Sequence, residues 1–238
     1  AFLRSHNLIF ATKQGIVKKT DVTQYSRPRT NGVNAITIRE DDELLEVKLT
    51  DGNKHILLAT RAGKAIRFHE QDVREMGRTA TGVRGSRLNE ADNEVVGMIC
   101  IEADEMEKTI LSISENGLGK RTEAEEYRPQ GRGGMGIKTM NITDKTGALI
   151  ALKAVTEQDD VVIINRSGLT IRLAAKEVSQ SGRSTQGVKL INLRKDDAIA
   201  DVGLIVDGQL EEVEAAPEGN DNDEQTENVT DAPDQGEV

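Results

Sequence analysis

The chain repeats itself four times, so any fold it adopts must be built from four copies of one unit. Aligned on one glycine, LIFATKQGIVKKT (8–20), ILLATRAGKAIRF (56–68), ILSISENGLGKRT (110–122) and VIINRSGLTIRL (162–173) place Gly15, Gly63, Gly117 and Gly168 at spacings of 48, 54 and 51. A second element follows each: RPRTNGVNAITI (27–38), GRTATGVRGSRL (77–88), QGRGGMGIKTMNI (130–142) and GRSTQGVKLINL (182–193). Its glycines, Gly32, Gly82, Gly136 and Gly187, are 50, 54 and 51 residues apart. Two landmarks keep one period.

Each unit reads as short strands. In the second, Ile56–Thr60 and Ala65–Phe68 flank a turn at 61–64 whose Gly63 suits a positive φ. A polar loop over 69–82 leads to Val83–Leu88, and Glu94–Ile101 closes the unit. The apolar positions are β-branched and show no sustained 3.6-residue period. Aromatics make up only 2 % of the chain, so Ile, Val, Leu and Ala must build the core. Four strands per unit is the pattern of a propeller blade, and a lone blade leaves its faces bare, so the blades must pack on one another. The fold class expected is all-β, propeller-like, with about four four-stranded blades over residues 1–206 (units near 8–55, 56–107, 108–158 and 159–206).

The chain carries a net charge of -10, but the charge is uneven. Residues 207–238 hold twelve Asp and Glu and no Lys or Arg; the body therefore has 31 basic and 29 acidic residues. A segment so polar cannot bury enough surface to order itself, and reads as a disordered acidic tail: in the bland reading it solubilises the chain, in the functional one it competes for a basic surface elsewhere in the molecule. No run of about 18 apolar residues spans a membrane, and AFLRSHNLIF has no signal-peptide core. That opening reads as a cut from a longer chain. One cysteine, Cys100, makes no internal disulfide and fits a reducing compartment; with His6, His55 and His69 it matches no zinc spacing.

Cations recur with the repeat. Four residues after each hairpin glycine stand Lys19, Arg67, Arg121 and Arg172, with Lys18 and Lys120 one residue earlier. Ahead of the second glycine come Arg29, Arg78, Arg132 and Arg183; two residues after it come Arg84, Lys138 and Lys189, with Asn34 in the first unit. Matched positions on successive blades become an arc in space, and an arc of cations suits a curved polyanion. Gly-rich turns add backbone N–H groups for anions. The bland alternative is a set of solvated strand cations.

Other constellations carry little. Residues 131–136, Gly-Arg-Gly-Gly-Met-Gly, lack the Gly-Lys-Ser/Thr ending of a phosphate loop. Three scattered His form no catalytic triad. The pairs Asp41-Asp42, Asp159-Asp160 and Asp196-Asp197 read as turn residues, Tyr25 and Tyr127 as loop packing, and Phe10, Phe68 and Cys100 as core. The fragment alone is expected to have no enzymatic activity, no cofactor and no metal. Scarce aromatics argue against single-strand stacking, and no recognition helix is evident.

GIVKKT (15–20), GKAIRF (63–68), RTATGVRGSRL (78–88), NGLGKRT (116–122), EYRPQGRGGMGIKTMNI (126–142) and GRSTQGVKLINL (182–193) resemble the C-terminal domain of the A subunit of bacterial DNA gyrase. Topoisomerase IV carries a related, more degenerate domain, and a propeller-type protein-interaction module is the alternative of another class. The resemblance implies a β-pinwheel whose neighbouring blades exchange strands and whose basic rim bends duplex DNA. It also implies a cytoplasmic holoenzyme of two A and two B subunits that introduces negative supercoils with ATP. The family's Gln-Arg-Arg-Gly-Gly-Lys-Gly box is matched by Gln130, Arg132, Gly133, Gly134 and Gly136, while Gly131 and Met135 depart from it. Its place in the third unit leaves two readings: the box itself, or a repeat element resembling it with the true box upstream of Ala1.

Overall fold

The computed structural model describes residues 5–89, 94–102, 105 and 108–206. The tail expected at 207–238 lies outside them. The first unit supplies β1 (Asn7–Thr12), β2 (Ile16–Asp21) and β3 (Leu44–Thr50). The second supplies β4 (Lys54–Thr60), β5 (Lys64–His69), β6 (Val83–Arg84) and β7 (Val95–Glu102). The third supplies β8 (Thr109–Ser114), β9 (Leu118–Glu123), β10 (Ile137–Lys138) and β11 (Leu149–Val155). The fourth supplies β12 (Asp160–Asn165), β13 (Thr170–Ala174), β14 (Val188–Lys189) and β15 (Ile199–Ile205). No helix among the described residues is long and apolar enough to cross a membrane.

The sheets are not the units. Their strand orders are β3-β1-β2-β6, β10-β5-β4-β7, β11-β8-β9-β14 and β13-β12-β15. The two-residue strand that follows the second glycine therefore leaves its own unit and completes the preceding blade. Ile16 faces Arg84, Lys64 faces Lys138 and Leu118 faces Lys189, all antiparallel. This is the strand exchange that the resemblance implied. Two details differ from the sequence expectation. The strand read over Val83–Leu88 stops at Arg84, because the N–H groups of Gly85 and Ser86 both donate to the Gly15 carbonyl (2.8 and 3.1 Å) and carry the chain over the hairpin. The fourth blade has three strands, since no later unit among the described residues donates one.

Each first hairpin closes where expected. The N–H of Gly63 donates to the Thr60 carbonyl (2.9 Å) with Gly63 at φ 77°, and Gly15, Gly117 and Gly168 repeat that turn. Strands β3, β7, β11 and β15 pack one against the next, so they form the inner end of the blades. The donated strands β6, β10 and β14 are then outermost.

The core lies between blades. Ile9, Ala11 and Val17 of the first blade meet Ile56, Leu58, Ile66, Phe68 and Met98 of the second. Leu57, Ala59, Ile99 and Ile101 point from the other face of the second blade onto Ile110, Leu118 and Leu152 of the third. Ile113 and Val155 then meet Val161, Ile163 and Val202 of the fourth. Strand alternation thus makes each blade apolar on both faces, at about 1.5–3 kcal/mol per buried Leu or Ile.

Buried cations lock this stack. Lys19 donates from Nζ to the Glu70 carbonyl (3.0 Å), and Arg67 donates to the carbonyls of Ala124 (2.9 Å) and Tyr127 (3.4 Å). Arg121 donates from Nε to the Val178 carbonyl (2.9 Å). In every case the carbonyl belongs to the first residue of the 3₁₀ turn of the next unit, or to the residue just after it (turns at 70–72, 124–126 and 175–177). Lys18 lies 4.9 Å from the centre of the Phe10 ring and donates to the carbonyls of Ala35 and Arg78; Lys120 donates to those of Gly182 (2.5 Å) and Arg183 (2.7 Å). Both are fully buried. Burial, assisted by Arg78, lowers the pKa of Lys18 to about 8; burial likewise lowers that of Lys120 to about 8, with Arg183 adding and Glu126 opposing.

The second-glycine contacts set a sharp steric limit. A Cβ at Gly136, whose φ is 74°, would stand 2.5 Å from the Ala65 carbonyl oxygen on the accepting strand, whereas one at Gly131 would meet nothing within 4 Å. Gly136→Ala is expected to cost about 2–4 kcal/mol from backbone strain and overpacking, and Gly131→Ala less than about 0.5 kcal/mol; urea titration of both variants checks this. The Lys120 pKa of about 8 lies below its ordinary 10.5, so between these values the unfolded chain binds the extra proton and stability rises with pH. Lys120→Met removes that titration. The stability of the native chain relative to this variant should increase from pH 8 to 10.5, and a pH-independent difference would contradict the assignment.

Candidate nucleic-acid interface

The outer edge is built from the donated strands. In each two-residue strand the first side chain, Val83 or Ile137, is half-buried against the blade, and the next, Arg84 or Lys138, is exposed. On β14 both Val188 and Lys189 are exposed. The register with β2, β5 and β9 is the same in all three, so one cation recurs per blade at one structural position.

The arginines ahead of the second glycine reach back along this edge. Arg78 donates from Nη1 to the Asn34 carbonyl (3.2 Å), Arg132 to the Arg84 carbonyl (3.1 Å) and Arg183 to the Lys138 carbonyl (2.9 Å). Each guanidinium therefore clamps the backbone of the residue that occupies the rim position one unit earlier. Arg132 also donates from Nε to the Asp72 carbonyl (2.8 Å). Arg132 is exposed, while Arg78 and Arg183 are half-buried; Glu126 stands 3.7 Å from Nε of Arg183. Arg29, with no earlier unit to clamp among the described residues, is exposed.

The thirteen cations singled out from sequence thus divide. Arg29, Arg78, Arg84, Arg132, Lys138, Arg183 and Lys189 belong to the second-glycine elements that form the edge. Lys18, Lys19, Arg67, Lys120 and Arg121 do not share that surface: their relative exposures are 0–8 %, because the next unit covers them with carbonyls. Arg172 shows the same point in reverse. It is equivalent to Arg67 and Arg121, but no later unit among the described residues covers it, and its side chain is 54 % exposed and pairs with Asp160. Arg74 and Arg128 escaped the sequence reading. Both are exposed and directly follow a buried residue, Val73 or Tyr127, that ends a 3₁₀ turn. Their signal was the aligned Val-Arg and Tyr-Arg steps.

The box-like segment sits in the same place as its repeat counterparts. The Gly134 carbonyl accepts from the Arg87 N–H (2.8 Å), as the Ala80 carbonyl accepts from Thr37 and the Thr185 carbonyl from Asn141. Gln130 N–H donates to the Arg67 carbonyl and Gly133 N–H to the Gly85 carbonyl, so the loop is pinned on the preceding unit. Gly131, Arg132 and Met135 remain exposed.

The remaining candidates are structural. Tyr127 is buried with its hydroxyl 2.5 Å from Thr139 Oγ1, and Tyr25 donates to the Ala35 carbonyl (3.1 Å). Phe10 and Phe68 are core; Asp41 and Asp196 occupy positive-φ turns. Burial pushes the Cys100 thiol up to about 12, which keeps it protonated and unreactive. A cavity of about 470 Å³ opens where Arg67 and Arg121 approach Glu102, Glu123 and Glu157, a lining of mixed charge. Among the described residues no three His, Cys, Asp or Glu side chains come together to hold a metal ion. The edge can bind anions through side chains and shape.

Comparison with known proteins gives the same geometry a lineage. The family described as DNA gyrase C-terminal domain, beta-propeller, matches residues 6–51, 54–102, 108–156 and 159–205. The A subunit of DNA gyrase from Staphylococcus aureus strain NCTC 8325 / PS 47 is 42 % identical over 223 residues, 94 % of this chain and 24 % of its own length. That of strain MRSA252 is 44 % identical over 207 residues, covering 87 % and 23 %. The chain spans about a quarter of the length of these relatives. Among solved structures, a C-terminal domain of DNA topoisomerase IV superposes with a TM-score of 0.80 at 22 % identity, over 87 % of this chain and 64 % of that one. A DNA gyrase A C-terminal domain superposes with 0.76 at 24 % identity, over 85 % and 67 %. These two share the fold. With all four repeats matched in order and a relative 42 % identical across 94 % of this chain, the chain belongs to the DNA gyrase C-terminal domain family.

Proposed function

We propose that this chain binds duplex DNA along its outer edge and bends it, as the DNA-wrapping domain of a gyrase A protein. The observation that carries this reading is the recurrence of one exposed cation per donated strand, Arg84, Lys138 and Lys189, the carbonyls of the first two being clamped by Arg132 and Arg183 of the following unit. A rigid, periodic line of cations matches the periodic charge of a phosphate backbone. It reads no bases, so binding follows shape and charge rather than sequence. Bending 20–30 bp by 40–90° costs about 1–6 kcal/mol, which many phosphate contacts must offset. In the cytoplasmic holoenzyme, an A2B2 assembly with the remainder of the gyrase A and B proteins, such a wrap presents a DNA segment of fixed crossing sign for ATP-driven negative supercoiling. Cleavage and ATP use belong to the other parts of that assembly.

Two tests follow. Arg84→Gln, Lys138→Gln and Lys189→Gln together leave the strand ladders intact, since those run through backbone atoms. The triple variant should weaken DNA binding and reduce the slope of log K against log salt by about 2.7, near 0.9 per lost contact. In ligation of nicked circular plasmid it should also lose the linking-number shift of the native chain; an unchanged slope and shift would sink the proposal. The tail is the second test. Its twelve carboxylates compete with phosphate for the same cations, so removing 207–238 should tighten DNA binding most at low salt. Equal affinity with and without the tail would count against that competition.

A further inference from the structure

Two edge arginines rest on lysines that never reach the surface. Three residues after the hairpin glycine the units carry Lys18, Ile66, Lys120 and Ile171. Lys18 donates from Nζ to the Arg78 carbonyl (2.5 Å) and to that of Ala35. Lys120 donates to the carbonyls of Gly182 (2.5 Å) and Arg183 (2.7 Å). Arg78 and Arg183 are also held at the other backbone end. The Arg78 N–H donates to Gln24 Oε1 (3.2 Å) and the Arg183 N–H to Glu126 Oε2 (3.1 Å), from matching positions nine residues after the hairpin glycines. The second unit does otherwise. Its isoleucine, Ile66, brings Cδ1 to 3.3 Å from where a Cβ on Gly134 would stand, so the 131–136 loop lies over an apolar side chain that has no proton to donate. Arg132 of that loop is exposed, whereas Arg78 and Arg183 are half-buried.

The two ammonium groups are short of negative charge. Lys18, on β2, faces the Phe10 ring from β1, the Tyr25 hydroxyl, which shares the Ala35 carbonyl, and Arg78 of the second unit. Among the described residues no carboxylate acts on Lys18, while Glu126, just after β9, acts on Lys120 against Arg183. Burial raises Tyr25 and its equivalent Tyr127 above the ordinary tyrosine value, so both phenols stay neutral. An ammonium that has lost water and gained no counter-ion favours any anion brought near it.

We infer that Lys18 and Lys120 are positioning residues for DNA at the first and third blades: they hold Arg78 and Arg183 on the edge, and the phosphate bound there is the counter-ion of their buried charge. The inference rests on the DNA-binding reading above. It makes binding proton-linked. A nearby phosphate favours the charged lysine, so its pKa rises in the complex, the complex holds more protons than the free chain, and affinity falls as pH rises. Both lysines lie at about 8 in the free chain, which places the fall just above that pH. A neutral amine keeps two N–H groups for its two carbonyls, so the arginines stay placed while the charge is lost. Lys18, with no opposing carboxylate, should carry the larger share.

The test measures binding of the 238-residue chain to a linear duplex of mixed sequence, at constant salt, from pH 7 to about 9.5. Each pKa unit by which phosphate raises a lysine is a tenfold gain for the protonated form, and the expected decline in affinity is roughly tenfold. Lys18→Gln/Lys120→Gln keeps amide donors for the carbonyls but carries no charge. It should bind more weakly than the native chain at pH 7, and the two curves should converge near pH 9.5. Any α-amino group titrates alike in both chains, so their difference isolates the lysines. Calorimetry of the native chain in buffers of different ionisation enthalpy should show net proton uptake on binding at pH 8, a readout that needs no variant. Salt-dependent binding that is independent of pH, with no proton uptake, overturns this inference and leaves the DNA-binding reading standing. A pH decline unchanged in the double variant overturns it as well. No DNA binding by the native chain at pH 7 overturns both.

Discussion

Each filled blade is closed by two residues that belong to the next unit, and the rest of the structure depends on that loan. A three-stranded blade would leave the outer edge of β2, β5 or β9 unpaired. The borrowed strand pairs it and, in the same step, brings the loop of the next unit over the hairpin. The glycine before the strand makes this possible, because at Gly136 the accepting carbonyl lies where a Cβ would stand. Apolar packing supplies most of the stabilisation between blades, but it is non-directional. The loan fixes the register.

Charge does two jobs in one repeat. In the first three units the cation after the hairpin is enclosed by the next unit, and its burial is tolerated because backbone carbonyls in or just after a 3₁₀ turn accept its hydrogen bonds. Lys19, Arg67 and Arg121 therefore act as polar bolts inside an apolar stack. Arg172, at the same position, is exposed and pairs with Asp160, because no described residue packs over it. The cations of the donated strands face the other way. Pleating sends Val83 inward and Arg84 outward, so a strand only two residues long seats itself and displays a charge. The arginine clamps tie each second-glycine element to the rim position of the unit before it.

Most of the architecture was legible. Two glycine landmarks with one period gave four units, the β-branched pattern gave strands, and Thr60 to Gly63 gave a hairpin turn. The strand exchange was not visible in the residues themselves, since Val83–Arg84 pairs equally well on paper with its own hairpin or its neighbour's. The site was half legible. Repetition pointed to thirteen cations, but it does not distinguish a position that a neighbour covers from one that it leaves bare. Arg67 and Arg84 look alike in a list of charges and differ only in what packs on them.

The amino-acid sequence alone determined the unit, its number, its all-β character and the positions at which charge recurs, because these rest on local spacing and on residue type. Which blade each short strand completes, and which cations are buried and which are displayed, were decided only by the tertiary structure. Those properties depend on which unit lies over which, and that is a relation between residues about 50 positions apart.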